Sequence, residues 1–310
     1  MANRNQKLRL GTRGSLLALS QSKLVADQLS ALHRGLMVEL ITIRTTGDRV
    51  IDRPLHDVGG KGLFTKELEQ ALLRGEIDFA VHSFKDVPTT MPLVDQAELM
   101  TAAVPVREDP RDVLVSSVAR SIQELPPNAR VGTGSLRRRC QLLRVRPDLR
   151  IEPIRGNIDT RMKKLRAGEF DAVVLALAGI KRARLVDEAI CHPIPVEELL
   201  PAPGQGALCL QCRKDDLRTV QLLAALNHVE SAACVALERK VVEILEGDCH
   251  SPIAALAVPR AEGGVWLRVA VGAQGGGLPV KVAESSGEAI ADLSVASKAC
   301  LALGLGTKAS

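Results

Sequence analysis

The stretch RVGTGSLRRRCQLLRVRPDLRIEPIRGNIDTRMKKLRAGEFDAVVLA, residues 130–176, decides the fold. It reads as strand Arg130–Thr133, helix Leu136–Arg144, strand Ile151–Ile154, helix Thr160–Ala167 and strand Ala172–Ala176. Apolar strands alternating with helical patterns of this length argue for a parallel sheet with covering helices. The same order runs upstream. KLRLGT (7–12) reads as a strand, Ser15–Leu32 as an amphipathic helix and MVELITI (37–43) as a strand. Phe64–Arg74 follows as a helix and Ile77–His82 as a strand.

Two polar breaks, Pro105–Pro110 and PIPVEELLPAPGQG (193–206), separate these α/β units, and two crossings predict paired domains with a cleft between them. After about Asp216 the pattern changes to two helices and then strands Ile253–Val258, Leu267–Val271 and Val280–Val282. A last helix follows. Successive strands with Gly-rich turns predict a small α+β domain.

Charge locates the chemistry. Between Arg130 and Arg184 there are 15 basic residues, 12 of them Arg, against five acids. The rest of the chain carries 26 bases and 31 acids, so the net +5 of the 310 residues conceals one strongly cationic segment. Arg in preference to Lys favours planar, bidentate partners, carboxylate or phosphate. Aromatics are 2% of the chain, with no Tyr, which leaves little on which to stack bases. A polyanionic small molecule fits better than nucleic acid. The longest apolar or glycine run, Ala172–Ile180, is about half a membrane span. MANRNQKLRL has no apolar core of a secretory signal, so a cytoplasmic protein with reduced thiols is expected.

Several motifs could carry chemistry. VGTGSLRRR (131–139) has Gly132 and Gly134, but Arg137 stands where a dinucleotide fingerprint needs its third glycine. A helix start with Thr133, Ser135 and several Arg is an anion cradle instead. RGNIDTR (155–161) repeats that arrangement with Arg155 and Arg161. GGKGLFTKEL (59–68) lacks the P-loop spacing and reads as a mobile loop of Gly59, Gly60 and Gly62 with the cation Lys61. In AVHSFKDVP (80–88), Lys85 and Asp86 leave the end of an apolar strand, where Asp86 suits proton transfer or cation stabilisation; a turn residue is the plainer reading. His82 on that strand reads as a satisfied core histidine.

Of seven cysteines, Cys209 and Cys212 form a CxxC inside a strand-like stretch with no second pair, so core packing outweighs a metal or redox role. Cys140, Cys191, Cys234 and Cys300 lie in helix-like or irregular contexts. Cys249 sits on a polar loop between helix Val229–Leu245 and a strand, where a thiol is accessible for nucleophilic chemistry; a half-exposed Cys with no role is the plainer reading.

TRGS (12–15), GGKGLFTKE (59–67), AVHSFKDVP (80–88), REDPRD (107–112), GTGSLRR (132–138), RGNIDTR (155–161), LPAPGQGAL (200–208) and GDCHSPI (247–253) together resemble the porphobilinogen deaminase (hydroxymethylbilane synthase) family from end to end. The resemblance implies two periplasmic-binding-protein-like α/β domains forming a cleft, plus a small C-terminal α+β domain carrying a cofactor cysteine. Domain 1 would be 1–104 with 201–217, domain 2 105–200 and domain 3 218–310. It implies a transferase that joins four porphobilinogens head to tail into hydroxymethylbilane with loss of ammonia. The chain grows on a dipyrromethane held by a thioether, which matches Cys249, and the catalytic acid matches Asp86. Cofactor ligands match Lys85, Arg137, Arg138, Ser135 and Thr133; substrate ligands match Arg13, Ser15, Ser83, Arg155, Arg161 and Arg182. No metal, nucleic acid or membrane is implied. A monomer is expected, with hand-over of product to the next tetrapyrrole enzyme.

Asp57, Gly134, Ser20, Asp248 and His250 depart from the commoner pattern of that family. The main alternative is a non-enzymatic two-domain polyanion- or carboxylate-binding protein of the same fold, which would not need a thiol at Cys249.

Overall fold

The computed structural model describes residues 7–46, 62, 65–89, 98–248 and 251–305. In chain order the elements begin β1 Lys7–Thr12, α1 Leu16–Leu32, β2 Met37–Thr42, α2 Lys66–Leu73, β3 Phe79–Ser83 and β4 Leu99–Ala103. Next come β5 Asp112–Val115, β6 Arg130–Gly132, α3 Leu136–Val145, β7 Arg150–Glu152, α4 Ile158–Arg166, β8 Ala172–Ala176, α5 Leu177–Arg182 and β9 Cys191–Pro193. The chain ends with β10 Leu208–Arg213, α6 Leu217–Ala224, α7 Val229–Ile244, β11 Ile253–Pro259, β12 Val265–Ala273, β13 Gly277–Gly287 and α8 Ser294–Ala302. No single helix among the described residues is long and apolar enough to cross a membrane.

The chain divides into two compact units. Unit 1 is 1–107 with 207–232, and unit 2 is 108–206 with 233–310. The sheet of unit 1 has the order β2-β1-β3-β10-β4, and the first sheet of unit 2 the order β7-β6-β8-β5-β9. The plan is the same in both: three parallel strands, then a strand running the other way. Each sheet is therefore mixed where the βαβ pattern alone predicts a parallel one. The reversed strands, β10 and β5, follow the two crossings and enter at the edge where the parallel strands end, so they must run back.

Alternation explains the layers. In unit 1, Leu8, Leu10, Phe79 and Val81 face α1 through Val25 and Leu29, and α6 through Leu223. Ala80 and Ile77 pack with Leu68 and Leu72 of α2 in a second cluster. In unit 2, Val131 and Val174 meet Leu142 of α3, while Val173 and Leu175 meet Met162 of α4. Period-two strands buried on both sides need apolar residues at every position, and VVL of β8 supplies them.

The antiparallel sheet β11-β12-β13 belongs to unit 2. One face packs on α7 and α8 through Leu237, Val241, Val295 and Ala299. Ala254, Leu256 and Ala270 form another cluster with Leu200 of the second crossing. Gly272 gives Cys140 of α3 room, since a Cβ there would run into its side chain. The small sheet is thus built onto the helix that opens with the RRR run.

Strands β4, β5 and β9 were not foreseen; all are short, and β5 and β9 adjoin proline-rich crossings. Cys191, expected in a helix-like or irregular context, lies in β9.

Candidate active site

In unit 1, β1, β2 and β3 are parallel, so Thr12, Thr42 and Ser83 end at one edge. Beyond Thr12 the chain runs through Arg13 and Gly14 to Ser15, whose oxygen accepts the Ala18 N–H at 3.3 Å and caps α1. Ser83 Oγ lies 2.9 Å from Gln21 Nε2 on that helix. Phe84–Asp86 then form one 3₁₀ turn. The Val87 N–H closes it on the Phe84 carbonyl at 3.1 Å, and the Phe84 N–H donates to the Ala207 carbonyl at 3.0 Å. Phe84 is buried, Lys85 half-buried and Asp86 exposed, so a carboxylate stands on a turn fixed at both ends.

Behind this turn His82 is buried, with Nε2 3.0 Å from Gln211 Oε1. Burial draws its pKa down to about 4, partly opposed by the bond to Gln211 and helped by the nearby charge of Arg13. At neutral pH it is an uncharged core group. Gln211 also donates to Glu69 Oε1 at 3.2 Å, which extends the buried polar chain to α2.

In unit 2 the turns after β6 and β7 also leave one edge. Ser135 caps α3, its oxygen accepting the Arg138 N–H, and Thr133 Oγ1 accepts the Ser135 N–H at 3.2 Å. Arg161 Nε donates to the Gly156 carbonyl at 2.8 Å across the second turn, while Arg155 is half-buried. Arg182, the last residue of α5, donates to the Gly206 carbonyl at 2.8 Å. Burial lowers its pKa to about 10, and the charge of Glu108 offsets only part of that.

Arg137 and Arg138 do not project freely from the helix start. Both are buried and converge on Asp112, the first residue of β5 and 0% exposed. Arg137 Nη1 donates to Asp112 Oδ2 at 2.7 Å; Arg138 Nε and Nη2 donate to Oδ1 at 3.1 and 2.7 Å. Gln205 Nε2 adds a fourth bond to Oδ1 at 2.9 Å. Burial alone would raise the Asp112 pKa, but the two guanidiniums hold it far below the usual carboxylate range. The Leu200 and Val174 carbonyls take further donors from the pair. One donor is left over: Arg137 Nε is buried with no acceptor. A buried guanidinium with an unmet N–H, on a helix start, fits the carboxylate of a ligand.

Asp112 and Gln205 lie within quoted motifs but were not singled out from them. An Asp opening the fully apolar strand DVLV was the available signal, because a carboxylate there must be paired.

Gly59, Gly60, Lys61, Asp57, Cys249 and His250 lie outside the described residues. Gly62, with φ of 81°, accepts the N–H groups of Thr65 and Lys66 at the start of α2. Asp248 and Ser251, on either side of the Cys249 position, bond to each other at 2.9 Å. The other six cysteines are buried. Cys212 joins the core of unit 1, its thiol pushed up to about 12 by burial, and Cys209 Sγ lies 3.3 Å from Thr101 Oγ1. No group of side chains suited to a metal ion occurs among the described residues.

Two family models match the chain: "Porphobilinogen deaminase, dipyromethane cofactor binding domain" over residues 8–221, and "Porphobilinogen deaminase, C-terminal domain" over 232–296. Among solved structures, similarity extends to a putative methionine-binding lipoprotein from Bacillus subtilis, with 12% identity and a TM-score of 0.44 over 73% of this chain and 92% of that one. The probable amino-acid ABC transporter extracellular-binding protein ytmK from Bacillus subtilis has 11% identity and a TM-score of 0.42, covering 71% and 90%.

Proposed function

The chain belongs to the porphobilinogen deaminase family, and from that premise we propose how its residues divide the polymerisation of porphobilinogen into hydroxymethylbilane. The protein is a transferase of tetrapyrrole biosynthesis with a dipyrromethane cofactor. In finer terms its reaction is a C–C bond-forming aminomethylpyrrole transfer, four times repeated, with one ammonia released each time. When bound, the dipyrromethane supplies the free pyrrole carbon at which the chain is extended, and Cys249 Sγ anchors it by a thioether.

Each pyrrole unit carries an acetate and a propionate, so substrate and cofactor are recognised by their carboxylates. Arg137, Arg138, Thr133, Ser135 and Lys85 hold the arms of the cofactor. Arg13, Ser15, Ser83, Arg155, Arg161 and Arg182 hold those of incoming units. Sheltered charge-assisted bonds contribute roughly 1.5–3 kcal/mol each, against ~0–1 for exposed pairs. The observation carrying this assignment is the buried Arg137 Nε without an acceptor.

Loss of ammonia leaves positive charge on a pyrrole, and that charge calls for a carboxylate. Asp86 has that role: its carboxylate stabilises the charge and accepts the proton released as the new C–C bond forms. Its exposure and the doubly fixed turn support the assignment. The motif of Gly59, Gly60, Lys61 and Gly62 adds a further cation, Lys61, for the ligand carboxylates. We place the reaction in the cytoplasm, in a monomer that hands its product to the next tetrapyrrole enzyme; an odd number of cysteines, seven, without framework-like spacing supports a reducing compartment.

Intact-mass measurement tests this reading. The purified protein should exceed its sequence mass by two linked pyrrole units, with the increment on the Cys249 peptide. Asp86→Ala should keep the adduct and lose nearly all turnover. Full activity with an unmodified Cys249, or wild-type turnover without the Asp86 carboxylate, would refute it.

A further inference from the structure

We infer that Asp112 is the positioning residue of the unit 2 cradle and fixes its capacity at one ligand carboxylate. This rests on the functional reading above, in which the Arg137–Arg138 cradle holds the cofactor: Arg137 offers it an edge, and Arg138, bonded to Asp112 and the Val174 carbonyl, contributes its charge.

Charge is the first argument. Asp112, Arg137 and Arg138 are 0%, 3% and 5% exposed, and the other groups bonded to them are the neutral Gln205 amide and the carbonyls of Leu200 and Val174. Two guanidiniums and one carboxylate leave a buried charge of +1. One carboxylate neutralises it; a second would bury an unpaired anion.

Geometry gives the same number. Asp112 receives four donors, one at Oδ2 and three at Oδ1, so both of its oxygens are engaged. Arg138 spends its Nε–Nη2 edge on Asp112 and Nη1 on the Val174 carbonyl. Arg137 uses Nη1 twice, on Asp112 and the Leu200 carbonyl. Its Nε–Nη2 edge remains, with Nε the buried donor lacking an acceptor. One guanidinium edge matches one carboxylate through two parallel bonds. Asp112 selects that edge by holding the opposite side of Arg137 and the Nε–Nη2 edge of Arg138. It can do so because β5 runs antiparallel to β8, with Asp112 opposite Ala176 at the edge where α3 begins.

The test varies the cluster charge and reads cofactor loading. Wild-type protein, Asp112→Asn, Arg138→Gln and the double variant carry cluster charges of +1, +2, 0 and +1. Each is purified from the same expression conditions. Intact mass gives the fraction of folded chains bearing the adduct, and circular dichroism gives the unfolding midpoint. Each single variant should lose loading about tenfold, the scale of one sheltered charge-assisted bond. The double variant should recover to within about threefold of wild type, because the balance of charge is restored. A purely structural role for Asp112 would leave the double variant no better than its worse parent, which overturns the inference. Wild-type loading of folded Asp112→Asn overturns it too. If Asp112→Asn does not fold, the double variant against Arg138→Gln decides by the same criterion. Absence of the adduct from the wild-type protein instead defeats the functional reading, a distinct result.

Discussion

His82 makes unit 1 acid-sensitive through a single buried group. Folded, its pKa is about 4; in the unfolded chain it returns to about 6.5. The folded value is the lower one, so between these limits the unfolded chain binds the proton and the folded chain does not. Stability from keeping the ring neutral is therefore present above about pH 6.5 and is lost as pH falls toward 4. At 1.36 kcal/mol per pKa unit, lowering pH from about 7 to about 4.5 removes roughly 2 kcal/mol. A His82→Gln variant keeps a donor toward Gln211 but cannot titrate. Urea unfolding of both proteins across that range, followed by circular dichroism, isolates the effect as a difference that cancels every other titrating group. The variant should lose less stability on acidification, by about 2 kcal/mol. A difference between the two proteins that stays constant with pH would show that His82 does not titrate as its burial requires. Because His82 lies four residues before Asp86 on the strand that feeds the 3₁₀ turn, acid loss of activity should follow the same curve.

Two further substitutions probe the backbone around the site. Gly206 has φ of +88° and lies where a Cβ would run into the Glu108 carbonyl, so Gly206→Ala should lower stability by about 2–4 kcal/mol in thermal or urea unfolding. It should also raise KM for porphobilinogen, since the Gly206 carbonyl holds Arg182. Gly134→Ser should be silent: its Cβ would sit 3.5 Å from the Ile154 carbonyl, an ordinary contact, and stability should move by no more than about 0.5 kcal/mol.

Local patterns were legible wherever one element decided them. Strand Ala172–Ala176 was read to the residue because its apolar run is bounded by polar Asp171 and a new helix. The strand expected over Ile151–Ile154 is Arg150–Glu152 instead, since Pro153 has no N–H for the ladder. Helix starts at Ser15 and Ser135 were visible, but not that their oxygens serve as caps. The Asp112 cluster was hidden for another reason. Its members are 25 and 26 residues apart, and nothing local says which carboxylate will face a run of arginines. Only the reversed direction of β5 brings them together.

That reversal has a consequence for the order in which the protein can fold. The first sheet of unit 2 is complete within residues 112–193, whereas the sheet of unit 1 waits for β10. Ser83 pairs with Leu208, so 125 residues must emerge before the edge of β3 is covered. A chain made from its N-terminus therefore closes the second sheet while the first still exposes an open strand edge, the kind of edge that invites aggregation. The turn bearing Asp86 receives its bond from Phe84 to Ala207 at the same late step. A nascent chain stopped at the second crossing would own its arginine cradle but not the fixed carboxylate, so catalytic competence is among the last properties the ribosome confers.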